Sequence, residues 1–153
     1  MPSHYKGNER DTRVLNAYIN MIRASDTIFS RLGADLAAKG LTLGQFGGLE
    51  ALLHLGPMCQ KELGGKLLRS GGNVTLVIDN LERHGWVRRE RLKNDHRKFL
   101  IRLTTRGREL IEKVFPEHVK AIVKEFSRLK PAEQKTMRRL CRKLGIGDNK
   151  EEK

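Results

Sequence analysis

Ten lysines and arginines fall between Arg83 and Arg108 against only Glu90 and Asp95, a net of +8 in 26 residues. Cations at that density have phosphate as their natural counter-charge, although a charge run also serves as a plain solvated face. Just upstream lies a helix pattern. Ser70 is a good N-cap, followed by Gly71, Gly72 and Asn73, and then Val74, Val77, Ile78 and Leu81 recur at the spacing of one buried stripe. The opposite face carries Gly72, Thr75, Leu76, Asp79 and Arg83, small or polar groups that suit a helix laid in the major groove of DNA. Two glycines in a first turn cost roughly 1 kcal/mol each relative to alanine, and close approach of backbone N–H groups to a phosphate would offset that cost. On such a face Leu76 has no hydrogen bond to offer and fits a thymine methyl, while Asn73 and Thr75 supply polar contacts to bases or phosphates.

The chemistry of an enzyme is absent from the pattern. The five histidines, His4, His54, His84, His96 and His118, include no i, i+4 pair, and no HExxH or phosphate-loop string occurs. No catalytic residue, metal ligand set or cofactor is therefore expected. Cys59 and Cys141 form neither a disulfide framework nor a CxxC metal spacing, and read most simply as two reduced thiols. A net charge of +13 on 153 residues and a pI near 10.2 point to a polyanionic partner. An anionic membrane surface would also attract such a chain. No stretch approaches the roughly 20 apolar residues of a spanning helix, and no basic-then-apolar signal opens the sequence, so the expectation is a cytoplasmic protein without membrane association.

Positioning of the cationic run falls to a hairpin. Trp86 to Arg91 and Phe99 to Leu103 read as short strands, Phe99, Ile101 and Leu103 alternating with Leu100 and Arg102, joined by a polar turn Lys93-Asn94-Asp95-His96-Arg97 before Lys98. Asp95 stands where it would accept from the turn backbone or from the Arg97 guanidinium, limiting the directions that arginine takes. A tethered guanidinium at a hairpin tip suits a narrow minor groove. Helix, turn, helix and basic hairpin in that order define a winged helix-turn-helix.

The string Ser70-Gly-Gly-Asn-Val-Thr-Leu-Val-Ile-Asp-Asn-Leu-Glu82, then Gly85-Trp-Val-Arg88, Asp95-His-Arg97 and Leu103-Thr-Thr-Arg-Gly107, resembles the MarR family of bacterial transcriptional regulators over nearly the whole chain. The resemblance implies a mainly α fold with a small β-hairpin wing, and a homodimer that binds a pseudo-palindromic operator in double-stranded DNA. Most often such a dimer is a repressor released by a small-molecule effector or an oxidant. It makes residues 1–153 a single domain, with 12–38 and 105–145 as dimerisation helices and 42–104 as the DNA-binding region. Ser70, Gly71, Gly72, Asn73, Thr75, Leu76, Arg83, Asp95, Arg97 and Lys98 are the expected DNA-binding residues. Three departures from the family pattern stand out: His96 replaces the arginine commonly found between the wing Asp and Arg, Gly64 and Gly65 follow a leucine after which alanine is frequent, and no cysteine lies near the start of the first helix.

The flanking helices complete the expectation. Leu15, Tyr18, Ile22, Ser25, Phe29, Leu32 and Leu36 make a seam of period 3.5 in a helix from about Thr12 to Ala38, too long for its own small core and suited to packing on other long helices. Thr42 and Gln45 have the spacing of a capping box, and Leu41 and Phe46 that of a hydrophobic staple. Gly56 and Pro57 stop that helix, and Met58 to Gly65 read as the short supporting helix of the helix-turn-helix. Thr104 caps a long helix whose apolar stripe includes Leu110, Val114 and His118 and which contains Pro116. Pro131 opens the last helix, with Met137, Leu140, Cys141 and Leu144 on one stripe and Gly145 after it. Beside the sequence-specific regulator, a second reading uses the same winged helix for protein association or sequence-neutral nucleic-acid binding.

Overall fold

A computed structural model describes residues 4–67 and 73–146. Its elements are α1 (Glu9–Ala37), α2 (Leu43–Leu55), β1 (Met58–Cys59), α3 (Gln60–Lys66), α4 (Val74–Arg83), β2 (Val87–Arg91), β3 (Phe99–Leu103), α5 (Thr105–Phe126) and α6 (Pro131–Ile146). They fall into two compact units, one running to His118 and the other starting at Val119.

In the first unit local sequence sets the helix ends. Asn8 caps α1 by accepting from the Asp11 N–H at 2.8 Å, so the helix opens at Glu9, ahead of the expected Thr12. At α2 the capping box is made in both directions: the Gln45 N–H donates to Thr42 Oγ1 at 3.1 Å, and the Thr42 N–H to Gln45 Oε1 at 2.9 Å. Leu41 and Phe46 are both buried. The core joins Leu36 of α1, Leu49 and Leu52 of α2, Leu63 of α3, Ile78 and Leu81 of α4, Val87 and Ile101 of the sheet, and Ile111 and Val114 of α5. Of the α1 seam only Leu32 and Leu36 are buried, while Tyr18 and Ile22 stay exposed.

The wing is a three-stranded antiparallel sheet of order β1-β3-β2, not the two-stranded hairpin the sequence pattern suggests. Met58 pairs with Ile101 and Cys59 with Leu100, so these two residues extend the sheet and the supporting helix starts only at Gln60. Within β3, Ile101 faces the core, but Phe99 at the outer end is exposed, and the Arg91 guanidinium lies 5.3 Å above its ring. The expected apolar alternation thus stops one residue short of the strand's end.

The start of α5 is welded to the root of the wing. The Thr104 N–H donates to the Trp86 carbonyl at 3.0 Å, its hydroxyl to the Gly85 carbonyl at 2.6 Å, and the Gly107 N–H to Thr104 Oγ1 at 3.1 Å. Thr104 therefore caps α5 and closes the sheet with one side chain. A Cβ on Gly107 would stand 1.9 Å from the Trp86 carbonyl oxygen, so only glycine lets the helix approach this closely. Gly85, at φ +72°, supplies the left-handed turn that leads from α4 into β2. From there α5 runs unbroken through Pro116.

His118 closes the core on its α5 side. Its ring lies 4.2 Å from that of Phe46, and Nδ1 is buried without a hydrogen-bond partner among the described residues. Burial, aided by the nearby Lys39 ammonium and opposed by Asp35, holds its pKa below the ordinary 6.5.

In the second unit Phe126 ends α5, and the Lys130 N–H donates to Glu133 Oε2 at 2.7 Å at the start of α6. The helix includes Gly145 and ends at Ile146, two residues beyond the stop that the glycine suggests. Leu140, Cys141 and Leu144 are exposed along it.

Two measurements test this packing. Gly107→Ala should cost at least about 2 kcal/mol of unfolding free energy through the clash with the Trp86 carbonyl, whereas Gly145→Ala, with open space around its Cβ, should leave stability unchanged or raise it by at most about 1 kcal/mol. Equal melting temperatures for the two variants would contradict the junction. For His118 the depressed folded-state pKa means that the unfolded chain takes up the proton first, so its contribution is present above pH 6.5 and is lost as pH falls below it. Melting curves at about pH 7.5 and 5.5 should show a smaller acid destabilisation in His118→Leu than in the parent.

Candidate nucleic-acid interface

The outward face of α4 is built by the same periodicity that buries Ile78 and Leu81. Thr75 and Arg83 are exposed, and Leu76 is 54% exposed, a large apolar side chain with no cover. The helix begins at Val74 and its cap is Asn73, whose Oδ1 accepts from the Leu76 N–H at 3.3 Å. This moves the cap from Ser70. The Asn73 carbonyl oxygen is thereby committed to the helix end, which leaves its NH₂ group to donate. Ser70, Gly71 and Gly72 lie outside the described residues. Gly64 of α3 receives the methyls of Val74, a fit that a side chain at that position would spoil.

Asp79 is not a groove-facing group. Its carboxylate takes one arm of the Arg89 guanidinium at 2.5 Å, and Glu82, one turn further along α4, takes the other at 2.9 Å. Glu82 also accepts the Arg89 backbone N–H at 3.2 Å. The fork of one arginine in β2 thus holds two carboxylates of α4, fixing the helix against the wing. The Asp79 hydrogen bond, outweighing partial burial, keeps the guanidinium protonated even more firmly than usual.

At the wing tip Asp95 Oδ1 accepts the Arg97 backbone N–H at 3.1 Å, and the Asp95 carbonyl accepts from the Lys98 N–H at 3.0 Å. Of the two arrangements open to Asp95, the turn backbone is the one adopted; the guanidinium of Arg97 is not its partner. The carboxylate stands 3.9 Å from Lys98 Nζ instead. Arg97 and Lys98 are both exposed. Arg102 pairs with Glu90 at 2.9 Å across the sheet, and Arg108 with Glu112 at 3.7 Å. Arg83, Arg88, Lys93, Arg97 and Arg106 are exposed cations without an ion pair among the described residues. Arg88 and Arg106 stood inside the basic run but were not singled out from it.

Gln60 was not anticipated at all. Its Nε2 donates to Thr75 Oγ1 at 2.7 Å, joining the first residue of α3 to the outward face of α4 across fifteen positions of sequence. Among the described residues no group of three or more His, Cys, Asp or Glu is placed to hold a metal, and no helix is long and apolar enough to cross a membrane.

Three helices with a basic antiparallel wing, the last of them presenting an open face beside it, make a winged helix-turn-helix. Residues 41–99 match the MarR family. The chain is 36% identical over 140 residues to the HTH-type transcriptional regulator YkoM of Bacillus subtilis strain 168, covering 91% of each protein. Its fold is similar to that of Sco3205, a MarR family transcriptional regulator from Streptomyces coelicolor solved in complex with DNA, with a TM-score of 0.80, 25% identity and 97% and 94% of the two chains covered. It is also similar to Bordetella bronchiseptica BpsR, whose DNA binding is regulated by 6-hydroxynicotinic acid, with a TM-score of 0.75 and 26% identity over 84% of this chain and 97% of that one. The chain belongs to the MarR family, and is a DNA-binding transcriptional regulator.

The Arg89 fork gives a direct test of how helix and wing are held. Its partners are about half exposed, so Arg89→Ala should cost only about 1 kcal/mol of stability. Its effect on DNA affinity should be larger, because the wing and α4 lose their fixed relation. A variant that melts earlier but binds DNA unchanged would make the fork a purely structural device.

Proposed function

We propose that the chain is a homodimeric repressor of the cytoplasm that reads an inverted-repeat operator, with α4 in the major groove and the wing tip at the minor groove. The observation that carries the reading is the open face of Asn73, Thr75, Leu76 and Arg83, held by the Arg89 fork beside a wing on which Arg88, Lys93 and Arg97 are exposed without a carboxylate partner among the described residues. Leu76 packs on a thymine methyl and Asn73 and Thr75 supply polar contacts, while Ser70, Gly71 and Gly72, outside the described residues, complete the DNA-binding set that the family resemblance implies. Arg97, its backbone fixed by Asp95, enters the minor groove, and Lys98 meets phosphate.

Residues 12–38 and 105–145 form the dimer and 42–104 read the DNA. Support comes from the exposed Tyr18 and Ile22 on α1 and the exposed Leu140 and Leu144 on α6, long apolar stripes that a second copy would cover. Two-fold symmetry then sets half-site centres about one helical turn apart. Release by a small-molecule effector is supported by the likeness to BpsR; an oxidant acting on a free thiol is the other route. Reading in the family's manner favours this function over a winged helix used for protein association.

Titration of the full-length protein against DNA from upstream of its own gene, with excess competitor at physiological salt, tests the proposal. A specific site should bind about 10³-fold tighter than unrelated duplex, and Arg97→Ala should cost on the order of 1 to 3 kcal/mol of that affinity while leaving fold and dimer intact. Uniform binding to all duplexes would refute operator reading, and loss of folding in Arg97→Ala with unchanged affinity per folded dimer would refute the wing assignment.

A further inference from the structure

The pair formed by Gln60 and Thr75 carries information that the outward face of α4 does not carry alone. A threonine hydroxyl has one proton and two lone pairs and rotates to suit its partner. Here one lone pair is occupied by the Gln60 Nε2–H at 2.7 Å, so the proton cannot point toward α3. Thr75 is the second residue of α4, and the helix does not begin until Val74, so no backbone carbonyl one turn back within the helix takes the proton. Among the described residues the hydroxyl makes no second hydrogen bond. An oxygen that accepts one hydrogen bond is polarised into a better donor in the next. One lone pair and the proton remain, so the exposed hydroxyl meets whatever lies against α4 as a strengthened donor with half its accepting capacity already used.

We propose that Gln60 is a specificity-determining positioning residue, which biases the Thr75 hydroxyl toward donating to a base-edge acceptor in the major groove. The acceptors there are purine N7, guanine O6 and thymine O4, whereas adenine N6 and cytosine N4 are donors and would be disfavoured at that position. This rests on the reading that α4 lies in the major groove, and adds to it a residue from outside the reading helix that selects the base without touching it.

The test is selection from a randomised duplex library with five full-length proteins: the parent, Thr75→Val, Gln60→Ala, Gln60→Glu and the Thr75→Val, Gln60→Ala double variant. Thr75→Val should lose about tenfold of the preference at one base pair per half-site, the size of one good polar base contact. Gln60→Ala should reduce preference at that same base pair by about threefold or more, and adding it to Thr75→Val should do nothing further. Gln60→Glu separates polarity from mere packing. A carboxylate only accepts, so the Thr75 proton turns toward it and the hydroxyl is left as an acceptor. Preference at that base pair should then move toward bases that present a donor. Gln60 is half-buried at a helix start, and melting curves establish that each variant is folded before selection.

The outcomes divide cleanly. A Thr75→Val change without a matching Gln60→Ala change overturns the inference but leaves α4 as the reading helix. A Gln60→Ala change at a different base pair means direct contact by Gln60 and also overturns it. If the parent selects a site yet neither variant alters it, Thr75 reads no base and the inference fails with that assignment. If the parent selects no site, operator reading itself is refuted.

Discussion

Four elements meet at the backbone of Gly85 and Trp86, and the geometry of the DNA-reading surface depends on that meeting. The end of α4 turns there, with the Gly85 N–H on the Glu82 carbonyl at 2.9 Å and the Trp86 N–H on that of Leu81 at 3.0 Å. Thr104 arrives from β3 and closes the same two residues with its N–H and hydroxyl, while Gly107 brings α5 into contact with the Trp86 carbonyl. Each group is a backbone donor or acceptor that would be costly to bury unpaired, so the junction has little freedom to adjust. A displacement of α5 is felt at the last turn of α4 through atoms already in contact.

The junction fixes position, and the Arg89 fork fixes angle. Asp79 and Glu82 are three residues apart on α4 and so lie on one side of it, which lets a single planar guanidinium hold both. These carboxylates have a second consequence. The single positive charge of Arg89 offsets half of the negative charge that Asp79 and Glu82 place beside the reading face, which reduces their repulsion of phosphate. Removing Arg89 would both loosen the wing and expose two negative charges toward the DNA.

Local signals were legible in the sequence, and distant pairs were not. The capping box of Thr42 and Gln45, the buried stripe Val74, Val77, Ile78 and Leu81, and the Thr104 cap are written in spacings of three and four residues, which the helix converts directly into contact. Asn73, three residues after Ser70, is the cap of α4, and its side chain accepts from the Leu76 N–H. β1 has two residues, too few to show a period, and exists because β3 offers it an edge. Asp79 looked like a free polar group because its partner lies ten residues away on a strand, and Gln60 looked like filler because Thr75 lies fifteen away. The polar groups that finish this surface are joined by tertiary contact, which periodicity does not encode.

Charge illustrates the same point with a sign. The hairpin's +8 counts Arg89, Arg102 and Arg108 as if they were available to phosphate, yet each stands within 4.0 Å of a carboxylate. Arg102 and Glu90 lie on adjacent strands and hold the sheet together, and Arg91 rests over Phe99. The cations left to meet a polyanion sit at the end of α4, along the outer edge of β2, at the wing tip and at the start of α5, as Arg83, Arg88, Lys93, Arg97, Lys98 and Arg106. Counterion release depends on the phosphates actually neutralised, about one unit of salt slope per contact, so the salt dependence of binding reflects this smaller set and not the net charge of the sequence. In the proposed binding mode the carboxylates that hold the wing in shape would thus also limit how strongly it grips DNA of any sequence, and would leave a larger share of the discrimination to the uncharged face of Asn73, Thr75 and Leu76.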